Sequence, residues 1–313
     1  WFGEDKQSLA VEFNALLDQT ITLLLADTLS MHCWDKQQQL QLLKTNLQQQ
    51  MTQIHESLIA APAEQQFELD KQLIELTEKI NQLEKQQQNI KNEMQVSLQQ
   101  LGLQLSTEQL NMLLVRVDAK DIIKMAGVFD AVKNITLQLE KLMQANSDNL
   151  IASKKYYAMY VVLSEMIVYI QNNYLSLIDK RYIPGIEKII TKMKKIQKQT
   201  IQFEKLSESS RQKIYKYNLA AQKLTIKTAQ LYLEHMLQQQ HRIEKASQIA
   251  IKDLQLARNT YETVQLSIEL LNLLKNSRNA FQQMIQLQLP EIVPLHDIAM
   301  QKEYQRLTLE LAD

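Results

Sequence analysis

The chain has 313 residues, with 35 Lys and Arg balanced by 35 Asp and Glu, and only 4 Gly and 4 Pro. Sheets, phosphate-gripping glycine loops and turn-rich folds need those two residue types, so most α/β and all-β designs are excluded. A net charge of zero supplies no global push toward nucleic acid or a membrane.

In their place stand 43 Gln and many Leu, Ile, Lys and Ala, all but Ile strong helix formers. The predicted fold class is all-α: an elongated antiparallel helical bundle or coiled coil with few long helices. A hydrophobic fraction of 45% is enough for a core.

The first helix is predicted from about residue 6 to 60, with Leu9, Phe13, Leu16, Leu23, Leu40, Leu43 and Leu47 at helical spacing. "AAPAE" at 60–64 places Pro62 in a tight helix–helix turn. The partner helix, 65–101, carries Leu69, Leu73, Leu76, Ile80, Leu83, Ile90 and Met94 in steps of three and four, interrupted by Gln87 and Ser97. Residues 36–101 therefore read as an antiparallel α-hairpin with those seven residues as a coiled-coil seam. Gly102 stands where a left-handed helix cap belongs. "LSTEQL" then reads as a capping box, Ser106 with Gln109.

Helices are predicted over 107–117 and 119–145, with "ANSDN" at 145–149 as a turn or a surface stretch. The tyrosine-rich segment 150–182 follows, and Pro184 with Gly185 should break or kink it. Another helix resumes near 186, weakens at "SESS" (207–210) and runs to about 288. Its seam passes through Ala250, Leu254, Ala257, Tyr261, Val264, Ile268, Leu271, Phe281 and Ile285. Pro290 and Pro294 end it, and a short helix closes the chain near 311. Two domains are expected: 1–102, an acidic helix plus hairpin, and 103–313, a basic long-helix bundle, packed together as one elongated body.

Charge is uneven along the chain. Residues 1–110 hold 7 basic and 15 acidic side chains, whereas 111–260 hold 24 basic and 13 acidic. Lys188, Lys192, Lys194, Lys195 and Lys198 lie opposite an apolar face of Ile186, Ile189, Ile190, Met193, Ile196, Thr200 and Phe203. These lysines are the candidate contact with a membrane or an anionic partner. The stretch 156–178 is the most apolar, but Glu165 at its centre opposes spanning a bilayer.

No catalytic constellation is evident. His235 and His241, six residues apart, point to different helix faces, so no metal site is expected from them. Cys33 next to His32 cannot face it on a helix, and reads as a small packed thiol. The carboxylate pairs Glu75 with Glu78 and Asp118 with Asp121 read as helix-surface or capping residues. The chain is expected to be no enzyme, with no cofactor, no metal and no small-molecule substrate. The single cysteine leaves the redox compartment undecided. No signal-peptide or membrane-span pattern is present, and a start at Trp1 rather than Met reads as a cleaved product or a fragment.

Two segments, "YVVLSEMIVYIQNNYLSLI" at 160–178 and "LQLARNTYETV" at 254–264, resemble parts of the bacterial toxic-anion (tellurite) resistance family. A second register, matching Asp148, Asn149 and Leu150 to a different family segment, fits as well. The resemblance implies a helical, stress-associated protein and carries over no catalytic residue. The layout also resembles bacterial α-helical pore-forming toxins. The expected function is a helical scaffold acting through coiled-coil contacts with a protein partner or with itself. The alternative is a pore-forming subunit that inserts an amphipathic segment. A membrane is admitted as a partner, and nucleic acid is disfavoured.

Overall fold

Long runs of helix formers leave the backbone one economical way to satisfy its polar groups, the i to i+4 ladder. The computed structural model describes residues 2–26, 28–60, 62–145, 150–206, 209–266 and 298–312, and none of these is in a strand. The helices are α1 (Phe2–Ala26), α2 (Leu29–Ala60), α3 (Ala63–Gln100), α4 (Thr107–Leu114), α5 (Ala119–Ala145) and α6 (Leu150–Leu177). A π-helical turn (Ile178–Tyr182) leads into α7 (Ile183–Leu206), then α8 (Ser209–Leu266) and α9 (Ile298–Ala312). The protein is an all-α helical bundle.

By its contacts the chain forms two compact units: Ala26–Leu105, and Trp1–Leu25 together with Ser106–Asp313. The first 25 residues group with the later part of the chain and not with the hairpin. The single helix predicted over 6–60 is two helices. Thr28 interrupts it, and its carbonyl accepts the amides of Met31 (3.1 Å) and His32 (3.2 Å) to open α2. The helix-starting residue types of "DTLS" are the local reason.

In the smaller unit α2 and α3 run antiparallel. Gln87 Nε2 donates to Gln41 Oε1 (3.1 Å), and Lys44, one turn further along α2, reaches back to Glu84 (2.6 Å). Of the seam residues, Leu76, Ile90 and Met94 are buried, while Leu69, Leu73, Ile80 and Leu83 are half-buried. Opposite them Leu40, Leu47, Met51, Ile54 and Leu58 repeat the same steps of three and four on α2, with Lys44 at the position between the first two. Gln87 and Ser97 are buried within the seam. Helix α3 ends as its sequence predicts. Gly102 adopts φ 83°, and the Leu103 amide returns to Leu98 O (2.9 Å), closing a left-handed cap that a Cβ would strain.

In the larger unit the capping box on α4 is present in both directions. Ser106 Oγ accepts the Gln109 amide (3.2 Å), and Gln109 Oε1 accepts the Ser106 amide (2.8 Å). Helix α1 buries Leu17, Ile21 and Leu25, and Leu25 lies so close to Gly127 on α5 that a Cβ there would overlap its Cδ2. This close approach explains a glycine inside a helix, where it costs about 1 kcal/mol relative to alanine.

The predicted break or kink at Pro184 takes the form of a π-turn rather than a stop. The Ile183 amide reaches back five residues to Ile178 O, so the wider turn accommodates a proline that cannot continue the regular ladder. Helix α6, the turn and α7 thus run on from 150 to 206, and α8 folds back antiparallel along them. Gln222 reaches Thr200, Ser247 reaches Asn172, and Arg258 pairs with Glu165. Helix α8, 58 residues long, extends about 85 Å at 1.5 Å per residue. Ala250, Leu254, Ala257 and Val264 of its predicted seam are buried. The predicted stretch 267–288 with Ile268, Leu271, Phe281 and Ile285, the stop at Pro290 and Pro294, the "ANSDN" turn beyond Ala145 and His296 lie outside the described residues.

Candidate functional site

A densely connected polar group lies where the α4–α5 connection meets four other elements of the larger unit. Residues 115–118, "VRVD", separate α4 from α5, and Asp118 occupies the capping position of α5. Its carbonyl accepts the amides of Asp121 (3.1 Å) and Ile122 (3.0 Å). Its carboxylate is fully buried and takes both prongs of Arg116, Nε to Oδ1 at 2.8 Å and Nη2 to Oδ2 at 2.6 Å. This is the bidentate geometry that makes Arg–carboxylate pairs strong and directional.

Four elements converge on the pair and the residues beside it. Tyr174 of α6 donates to Asp118 Oδ2 (2.5 Å), and Tyr182 of the π-turn donates to Asp121 Oδ2 (2.5 Å). Tyr232 of α8 accepts the Val117 amide (2.6 Å) and stacks on Tyr304 of α9, with ring centroids 3.7 Å apart. Thr308 of α9 donates to Val115 O (2.5 Å). The Val117 amide and the Val115 carbonyl are thereby satisfied by side chains from α8 and α9.

Electrostatics keep Arg116 charged and the phenols neutral. Burial by itself would lower the Arg116 pKa, but the adjacent Asp118 charge prevails and raises it well above its ordinary value. Burial, reinforced by Asp118, pushes Tyr174 and Tyr232 upward, and the hydrogen bond to Asp121 adds to burial at Tyr182. The phenols therefore remain donors at neutral pH. Burial also raises Asp121, against the donation from Tyr182. Such an arrangement fixes helices against one another, and its carboxylate oxygens are already engaged.

The pair Asp118 and Asp121, expected to be a surface or capping feature, is thus corrected in part. The capping position is right, but the Asp118 side chain is buried, because Arg116 and two tyrosines supply what water would otherwise provide. Arg116, Tyr232, Tyr304 and Thr308 had not been singled out. The available signal was the run of tyrosines in apolar helices, since a buried phenol calls for a polar partner.

The other sequence candidates lie elsewhere. Lys188, Lys192, Lys194, Lys195 and Lys198 are all exposed along α7, while Ile186, Ile189, Ile190 and Thr200 are buried against the bundle. Ile196 and Phe203, assigned to the apolar face, are 36% and 54% exposed, since a helix paired mainly with one neighbour buries only a narrow stripe. In 156–178, Tyr157, Tyr160 and Tyr174 are buried, and Glu165 is neutralised by Arg258. Among the described residues no helix is long and apolar enough to cross a membrane. Cys33 is buried with its thiol pKa raised by burial and by Glu93, and the adjacent His32 is exposed. No group of three or more His, Cys, Asp or Glu among the described residues could hold a metal ion. No family model, curated protein or solved structure matches the chain.

Proposed function

We propose that the chain is a non-enzymatic helical interaction protein, a scaffold whose α2–α3 hairpin packs onto a further helix in coiled-coil fashion. One observation carries this reading: the hairpin's internal seam is already paired, yet large apolar side chains remain outside it. Ile59 and Phe67, on either side of the turn at Pro62, are 87% and 79% exposed, and Leu42 and Ile74 are exposed along the two helices. Each costs about 1.5–3 kcal/mol to leave in water rather than bury. A second helix pair, in another copy of the chain or in a different protein, would cover them. The likeness of 160–178 and 254–264 to the toxic-anion resistance family would place such a scaffold in a bacterial stress response.

A photo-crosslinking side chain at position 67, in cells that make the protein, tests this. Adducts to a helical segment, lost when Ile59 is replaced by Lys, support the reading. Adduct levels no higher than from the neighbouring polar position 65 would overturn it. The alternative, pore formation by inserting 156–178, would require separating Glu165 from Arg258 and exposing three buried tyrosines.

A further inference from the structure

The α7–α8 hairpin end combines two features that the scaffold reading does not use. Residues 188–227 carry eleven Lys or Arg against two acidic residues, Glu204 and Glu208. Lys194, Lys195, Lys198 and Lys205 on α7 and Lys213 and Lys216 on α8 are all exposed. At 1.5 Å per residue they lie within about 20 Å of the adjoining ends of the two helices.

Among these cations stand exposed apolar groups. Leu206 is 85% exposed, Tyr217 67%, Ile214 60% and Phe203 54%. Phe203 and Tyr215 bring their rings to 6.2 Å across the hairpin, fastening the end of α7 to the start of α8. The adjoining ends of α7 and α8 therefore set exposed apolar side chains among exposed lysines.

We propose that this end of the hairpin is a docking surface for an anionic lipid bilayer, adsorbing to it without spanning it. Charge complementarity selects a polyanion, and the exposed apolar side chains select one with an apolar layer beneath its charge. A nucleic-acid backbone would engage the lysines but leave Leu206 and Ile214 in water. At a lipid surface lysines keep their ammonium groups among the headgroups while neighbouring apolar side chains enter the acyl boundary. Each lysine near an anionic surface contributes about a fivefold gain in binding, screened by salt beyond a Debye length of about 8 Å.

Co-sedimentation of the full chain with phosphatidylcholine vesicles, with and without about 30% phosphatidylglycerol, is the test. The expected result is binding to the anionic vesicles alone, falling at least about tenfold when salt is raised from about 0.1 to about 0.5 M. Replacing Lys195 and Lys198 by Gln should weaken it about 30-fold. Leu206→Ser with Ile214→Ser should weaken it about tenfold or more. All four side chains are exposed, so far-UV circular dichroism should be unchanged. Equal binding to neutral vesicles, binding to neither, or tighter binding to duplex DNA that Leu206→Ser leaves intact would each overturn the proposal.

Discussion

Asp118→Asn tests the role assigned to the buried centre. The substitution preserves shape but removes the negative charge that both prongs of Arg116 and the Tyr174 hydroxyl address. Arg116 has a side-chain exposure of only 6% and Asp118 of 0%, so the cation left behind cannot turn to water. Removing one member of such a pair costs about 3–5 kcal/mol, against a total stability of about 5–15 kcal/mol for a typical protein. With a slope of about 3 kcal/mol per molar, the urea midpoint should fall by about 1–1.7 M. Far-UV circular dichroism follows the unfolding. Exchange of the Val117 amide, held by Tyr232, reports on the centre itself. Arg116→Met combined with Asp118→Asn abolishes both charges and should be less destabilised than the sum of the single changes, by about 1 kcal/mol or more. A cost for Asp118→Asn below about 1 kcal/mol, or strict additivity in the double variant, would refute the assignment of the pair as the tie between the α4–α5 connection and its neighbours.

Burial, and after it the Arg116 charge, hold the His235 pKa below its usual value. The unfolded chain then binds the proton more readily, so stability falls as pH drops from about 6.5 through the folded value. His235→Gln should flatten that slope in urea titrations at a series of pH values, and unchanged slopes would contradict it. Cys33, buried and with its pKa raised, should react with a thiol reagent far more slowly in the native protein than in urea; equal rates would show that the hairpin opens freely. Gln41→Leu with Gln87→Leu replaces the polar pair inside the α2–α3 seam and should stabilise the hairpin by about 1 kcal/mol while loosening its register. Trp34, buried in the same unit, reports the change by fluorescence in a Trp1→Phe background.

Features governed by local chemistry were legible from the residues themselves. The Ser106–Gln109 capping box, the left-handed Gly102 cap and the start of α5 at Ala119 each depend on atoms a few residues apart. The α2–α3 hairpin was equally legible, because a short turn at Pro62 forces two matching apolar stripes together. Thr28 escaped notice because apolar spacing continues on both sides of it, and the π-turn escaped because proline alone does not say whether a helix stops or rewinds.

What the sequence by itself determined is therefore where the chain is helical and which stripe of each helix avoids water. Only the tertiary structure decided which stripes meet. It folded α8 back along α7 and α6, placed α1 with the larger unit, and drew Arg116 and Asp118 into a core with Tyr174, Tyr232 and Thr308. The hydrogen bonds of that centre join residues 56, 61, 115 and 193 positions apart. A helical period records that a face is apolar but not which neighbour covers it. The same limit holds for the two hairpin ends, whose exposed apolar side chains the helical period alone does not mark as uncovered.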